Sequence, residues 1–194
     1  YMEHFIVSAR KYRPQNFEDV VGQQAITNTL ENAIKSNHLA QALLFTGPRG
    51  VGKTSLIRRY VLNEFSEDYI STIGARVSTK IVKVNNQEIK FLIWDVAGVN
   101  DNDKIPKAYF LGSSAAMYVF DLSRLETYSN IKNQVETVKQ LSGLKNITVV
   151  GNKKDLLASG EIEKIKKTIS ISIDLITSAK ENEKVEDAFI LLTQ

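Results

Sequence analysis

The stretch Gly47-Pro48-Arg49-Gly50-Val51-Gly52-Lys53-Thr54 limits what this chain can fold into more than any other. It satisfies G-x-x-x-x-G-K-[ST] and stands between a short apolar run, Ala42-Leu43-Leu44-Phe45, and a segment from Lys53 to Leu62 that reads as a helix. A buried strand that turns through glycines into a helix aims backbone N–H groups and the positive end of the helix at an anion. Gly47, Arg49, Gly50, Val51, Gly52 and Ser55 then form the cradle. Lys53 reaches the terminal phosphates, and the Thr54 hydroxyl is offered to Mg²⁺. Such a loop selects a phosphate and leaves the base open.

The pattern on either side calls for strands alternating with helices. Ala75 to Val84 and Glu88 to Trp94 are strand-like around Asn85-Asn86, a hairpin signal. Ala115 to Phe120, Ile147 to Val150 and Ile171 to Leu175 are further buried-strand candidates, separated by helical stretches at 127–141, 161–168 and 182–193. These elements predict an α/β fold of the P-loop NTPase kind. Its sheet is six-stranded and mostly parallel, with one antiparallel edge hairpin and helices on both faces. Upstream, Gln23 to Asn37 places Ile26, Leu30, Ala33 and Ile34 at helical spacing. The expected division is a leader with its helix over 1–40 and a nucleotide-binding domain over 41–194.

Two later motifs bear on the base. Asn152-Lys153-Lys154-Asp155 follows the strand candidate Ile147 to Val150, and Ser178-Ala179-Lys180 follows the next. A carboxylate such as Asp155 can accept from both guanine N1–H and the exocyclic amine, a donor pair that adenine lacks. Polar pairing of this kind discriminates by about 10⁴ or more. Trp94-Asp95-Val96-Ala97-Gly98 closes the remaining strand with a carboxylate and a glycine.

These motifs, in this order, resemble the Ras/Rab-type small GTPases, and the resemblance covers about residues 47–194. It implies binding of GTP or GDP with Mg²⁺ and switch-like behaviour, with protein effectors or regulators meeting the switch regions. N-K-x-D corresponds to Asn152, Lys153 and Asp155. S-A-K corresponds to Ser178, Ala179 and Lys180, with the Ala179 N–H meeting the guanine oxygen. The family carries an aromatic that shields the guanine 12 residues beyond the loop lysine and a threonine 19 beyond it. Those positions are Phe65 and Thr72, within a Tyr69-Ile70-Ser71-Thr72-Ile73-Gly74 segment close to a Rab-type first switch. By the same resemblance Asp95 holds Mg²⁺ through water, Thr54 and Thr72 complete the metal set, and Gly98 senses the γ-phosphate. Lys53, Thr72 and Gly98 then serve hydrolysis.

The chain departs from that family at two places. Val99 stands where Ras and Rab proteins carry the glutamine that orients the attacking water, and valine neither donates nor accepts a hydrogen bond. Arg49 occupies a loop position where a small residue is usual, and its side chain either faces solvent or points at phosphate. Slow or impaired hydrolysis is expected, with a GTP-bound scaffold that never cycles as the alternative.

Residues 5–54 also resemble a different family, the N-terminus of the bacterial clamp-loader ATPase. Ser8-Ala9-Arg10-Lys11-Tyr12-Arg13-Pro14, then Phe17 and Asp19-Val20-Val21-Gly22-Gln23, carry that likeness up to the phosphate loop. Its downstream acidic pair is missing, since Asp95 is followed by Val96. The expectation is a chimera of clamp-loader leader and GTPase body, with the GTPase strand order: the strand ending in Asp95 beside the loop strand, and none between. The alternative is an ATP-binding fragment that meets replication proteins.

Composition excludes little more. The net charge of +3 is mild, and residues 1–46 set Arg10, Lys11, Arg13 and Lys35 against Glu3, Glu18, Asp19 and Glu31, so no basic stripe marks a nucleic-acid partner. There is no cysteine, hence no disulfide framework and no thiol for a lipid anchor. A cytoplasmic location without a membrane anchor is expected.

Overall fold

The computed structural model describes residues 39–66, 74–84, 87–98, 110 and 112–193. By its contacts the chain divides after Ala40 into two units, and the second, Gln41–Gln194, carries the sheet, with β1 entering it from Leu39. The Gln23 to Asn37 helix, the Asn85-Asn86 turn, the Tyr69 to Ile73 segment with Thr72, and Val99 all lie outside the described residues.

Six strands form one sheet: β1 (Leu39–Thr46), β2 (Ala75–Val84), β3 (Gln87–Val96), β4 (Ala115–Asp121), β5 (Thr148–Asn152) and β6 (Leu175–Ile176). Their spatial order is β2-β3-β1-β4-β5-β6, with β2 antiparallel to β3 and with β4 parallel to both β1 and β5. The strand ending in Asp95 therefore lies directly beside the loop strand. In register, Thr46 stands opposite Tyr118, and Asp121 opposite Asn152. Parallel pairing thus gathers the carboxyl ends of β1, β4 and β5 on one edge, where open α/β sheets bind ligands.

Alternation along the strands sorts the core into two layers. Leu43, Phe45, Met117 and Val119 face one side. There they pack with helices α1 (Lys53–Leu62) and α4 (Val185–Leu191) through Leu56, Ile57, Ala188 and Phe189. Leu44, Ala116, Tyr118 and Phe120 face the other, against α2 (Ile131–Ser142) and α3 (Glu161–Thr168) through Ile131, Val135, Val138 and Ile165. Leu43, Leu44 and Phe45 are completely buried, as a central strand covered on both faces requires. The expected α/β sheet with helices on both faces is the observed one.

Three elements start three or more residues later than the sequence reading placed them, each for a local reason. The last strand begins at Leu175 rather than 171, because the Asp174 carboxylate accepts the Val149 N–H at 2.7 Å and takes the place of a ladder carbonyl. The helix expected from 127 starts at Ile131. Before it, Thr127 bonds back to Asp121 and Arg124 through its hydroxyl and closes a separate 3₁₀ turn, Leu125–Thr127. The last helix starts at Val185 because Ser178 and Glu183 exchange backbone hydrogen bonds across a tight reversal, with Asn182 and Lys184 left-handed.

Packing between α1 and α4 is aromatic. The Tyr60 and Phe189 rings stack at 3.7 Å between centroids, and Phe45 lies 5.1 Å from Phe189 on the strand side. Phe189→Ala removes the middle ring of this column and leaves a cavity. The expected loss is about 3–5 kcal/mol, read as a lower urea midpoint at unchanged slope. A loss below about 1 kcal/mol would show that the stack contributes little.

Candidate nucleotide site

The phosphate loop is built by close backbone contacts. Gly52 caps α1 in a left-handed conformation (φ 91°), and a Cβ there would stand 2.4 Å from the Asn152 amide nitrogen. A Cβ on Gly98 would come within 2.3 Å of the Arg49 backbone nitrogen. Only glycine lets the end of β3 lie against the loop this way.

Lys53 is buried at the centre of the loop and donates to the carbonyls of Gly47 and Pro48 at 2.8 and 2.9 Å. Burial lowers its pKa to about 8, against the pull of Asp95 and with a small further push from Arg49. An ammonium so poorly solvated is stabilised by any anion that enters the loop. Thr54 Oγ1 donates to Asp95 Oδ2 at 2.5 Å, so two of the three expected metal ligands are in contact. Hydroxyl and carboxylate oxygens are hard donors suited to Mg²⁺. The third, Thr72, is outside the described residues. Arg49 is exposed, with Nε donating to the Gly98 carbonyl at 3.3 Å, and ties the loop to the end of β3. Ser55 is half-buried in the first turn of α1.

The two base-directed motifs meet each other. Asp155 sits in a 3₁₀ turn after β5, half-buried, and its Oδ1 accepts the Ser178 hydroxyl at 2.6 Å. Asn152 is 1 % exposed and reaches three ways. Its amide donates to the Val51 carbonyl at 2.9 Å, and its oxygen accepts from Thr177 Oγ1 and the Ala179 N–H, each at 3.2 Å. Its side chain is therefore a brace between the phosphate loop and the Ser178–Lys180 loop. The Ala179 N–H, expected at the guanine oxygen, is held by this brace. Phe65 is half-buried against the α1 core, with the Arg59 guanidinium 5.6 Å above its ring.

Lys153 takes a left-handed backbone (φ 66°) and pairs with Asp121 at 2.8 Å. Asp121 went unnoticed in the sequence, and so did Arg124. Fully buried at the end of β4, Asp121 also accepts from Arg124 Nε at 2.8 Å and from the Ser123 hydroxyl at 2.7 Å. Arg124 in turn donates to the Arg49 carbonyl at 3.0 Å, and so holds the phosphate loop from outside. The available signal was a carboxylate closing the apolar run Ala115 to Phe120.

A sheet of this order, with this loop and these two strand-end motifs at one edge, defines a P-loop nucleotide-binding protein. The Ras family model matches residues 42–194. Rab-22A from human and from dog is 39% identical over 154 residues, covering 76% of this chain and 79% of the relative. Rab-8 from Diplobatis ommata is 34% identical over 158 residues, 78% of this chain and 75% of the relative. RABA6b from Arabidopsis thaliana is 36% identical over 159 residues, 79% of this chain and 69% of the relative. The chain belongs to the Ras family of small GTPases.

Burial works to raise the Asp121 pKa, but hydrogen bonds from Lys153, Ser123 and Arg124 outweigh it and hold the carboxyl below its ordinary value. Its stabilisation is therefore complete above the unfolded carboxyl's pKa, about 3.9, and disappears as the pH falls through the lower folded value. Asp121→Asn is expected to cost about 2 kcal/mol at pH 7. The gap to the unaltered protein should narrow below about pH 4, as read by urea denaturation across pH. A gap that does not change with pH would contradict the charge pairing.

Proposed function

We propose that this chain holds GDP or GTP with Mg²⁺ and hydrolyses GTP slowly. The single observation that carries the reading is the joining of the phosphate loop to both base-directed motifs, through Asn152 to Val51 and Ala179 and through Ser178 to Asp155. In this reading Asp155 accepts from guanine N1–H and the exocyclic amine, oriented by Ser178. Lys153, anchored on Asp121, and Phe65 bound the base. Gly47 to Gly52 and Lys53 receive the phosphates, and Thr54, Thr72 and Asp95 hold the metal. When bound, Mg²⁺ supplies charge neutralisation between the terminal phosphates. Gly98, packed on the backbone of Pro48 and Arg49, would follow the γ-phosphate through its N–H, and effectors would meet the switch regions.

Neighbouring β3 and β1 argue against an ATP-binding clamp-loader sheet, which has a strand between them. The family match begins at residue 42, so the clamp-loader origin of the leader, and with it the chimera over 1–40, rests on its own residues Ser8 to Pro14 and Asp19 to Gln23. The proposed setting is the cytoplasm. Among the described residues no helix is long and apolar enough to cross a membrane.

The test is the affinity of nucleotide-stripped protein for GDP, GTP, ADP and ATP with Mg²⁺, beside Asp155→Ala. A guanine preference of about 10³ or more, lost in the variant, is expected. Equal binding of adenine nucleotides by the unaltered protein would overturn the reading. Single-turnover hydrolysis at or below about 10⁻⁴ s⁻¹ is expected, rising in Val99→Gln. An unchanged rate in that variant would show that Val99 does not limit the reaction.

A further inference from the structure

Arg59 lies on α1, six residues beyond Lys53, where a charged helix side chain ordinarily turns to solvent. Its neighbour Arg58 behaves that way, pairing with exposed Glu64 at 3.2 Å. Arg59 does not. Its Nε donates to the Ala179 carbonyl and its Nη2 to the Lys180 carbonyl, each at 3.0 Å, across 120 and 121 residues of sequence. Nη1 donates to the Asn63 carbonyl at 3.3 Å, where α1 ends, and the guanidinium stands 5.6 Å over the ring of Phe65.

A guanidinium is a rigid planar fork, so two bonds to consecutive carbonyls fix two peptide planes together. The Ala179 N–H is held from the opposite side by Asn152 Oδ1 at 3.2 Å. The Ser178–Lys180 loop is thus gripped by its N–H from β5 and by its carbonyls from α1. The same fork lies on Phe65, the other proposed wall of the base site, at cation–π range.

We infer that Arg59 is a positioning residue for base recognition: through one guanidinium it fixes the Ala179 backbone and the Phe65 ring relative to each other, without touching the nucleotide itself. This rests on the guanine reading proposed for the site. It explains why a charged side chain on α1 spends its fork on backbone carbonyls of a distant loop. Lysine, a single ammonium on a flexible stem, cannot bridge both carbonyls and hold the same place over the ring. Gly47 to Thr54, which carry the phosphate side of the site, take no part in the Arg59 hydrogen bonds themselves.

The test compares GDP and ADP dissociation from the full chain in the unaltered protein, Arg59→Lys, Arg59→Gln and the neighbour control Arg58→Ala, with fold checked by circular dichroism and urea midpoint. Loss of two charge-assisted bonds predicts GDP release on the order of 10–100-fold faster in both Arg59 variants. ADP release should change by less than about threefold, and Arg58→Ala should match the unaltered protein. Guanine selectivity in the unaltered protein with unchanged GDP release in folded Arg59→Lys and Arg59→Gln would overturn this proposal alone. Equal acceleration of GDP and ADP would overturn it too, since it would mark a general packing role. No guanine preference in the unaltered protein would instead remove the reading on which the proposal stands, and the proposal with it.

Discussion

Asn152 is the point on which the site depends. It ends β5 almost wholly buried, and its amide joins Val51 of the phosphate loop to Thr177 and Ala179 beyond β6. A buried amide that lost these partners would be left unsatisfied at a cost of about 1–3 kcal/mol per group. The three chain segments therefore keep one relative position before any ligand arrives. Gly52 is part of the same constraint, because a side chain there would occupy the place of the Asn152 amide nitrogen.

Around that brace the sheet edge distributes charge with few loose ends. Asp121 holds Lys153 and Arg124 together, and Arg124 passes the contact on to the Arg49 carbonyl. Arg59 holds the next loop from the helix side. Arg124 and Arg59 fix loop backbone, and Asp121 fixes Arg124, which is how loops at the end of a sheet acquire the rigidity of the sheet itself. The buried ammonium of Lys53 is the contrasting case: among the described residues it donates to two loop carbonyls, and it has reason to gain from an incoming phosphate.

How much of this could be read beforehand depends on the range of the interactions. The phosphate loop, the strand before it and the order β3 beside β1 were legible because each rests on local spacing or on the element set. Asn152, Asp155, Ser178 and Ala179 were legible as residues, but not as a connected frame. The sequence reading assigned Asn152 to the ligand; the structure adds that its side chain braces Val51, Thr177 and Ala179. Asp121, Arg124 and Arg59 were missed because their partners are set by sheet order: Arg124 meets Arg49 across 75 residues and Arg59 meets Ala179 across 120. The start of β6 was misplaced because a side-chain carboxylate, Asp174, substitutes for backbone in the ladder. Periodicity carries no trace of such a replacement.

The most direct measurement is the rate at which a fluorescent GDP leaves Asn152→Ala compared with the unaltered protein, with folding of both verified by circular dichroism. If the brace holds phosphate loop and base loops as one frame, losing its three hydrogen bonds should speed release about 100-fold or more while the sheet stays folded. Release within about twofold of the unaltered rate from a folded variant would mean that the loops hold their positions without Asn152, and that no such frame exists.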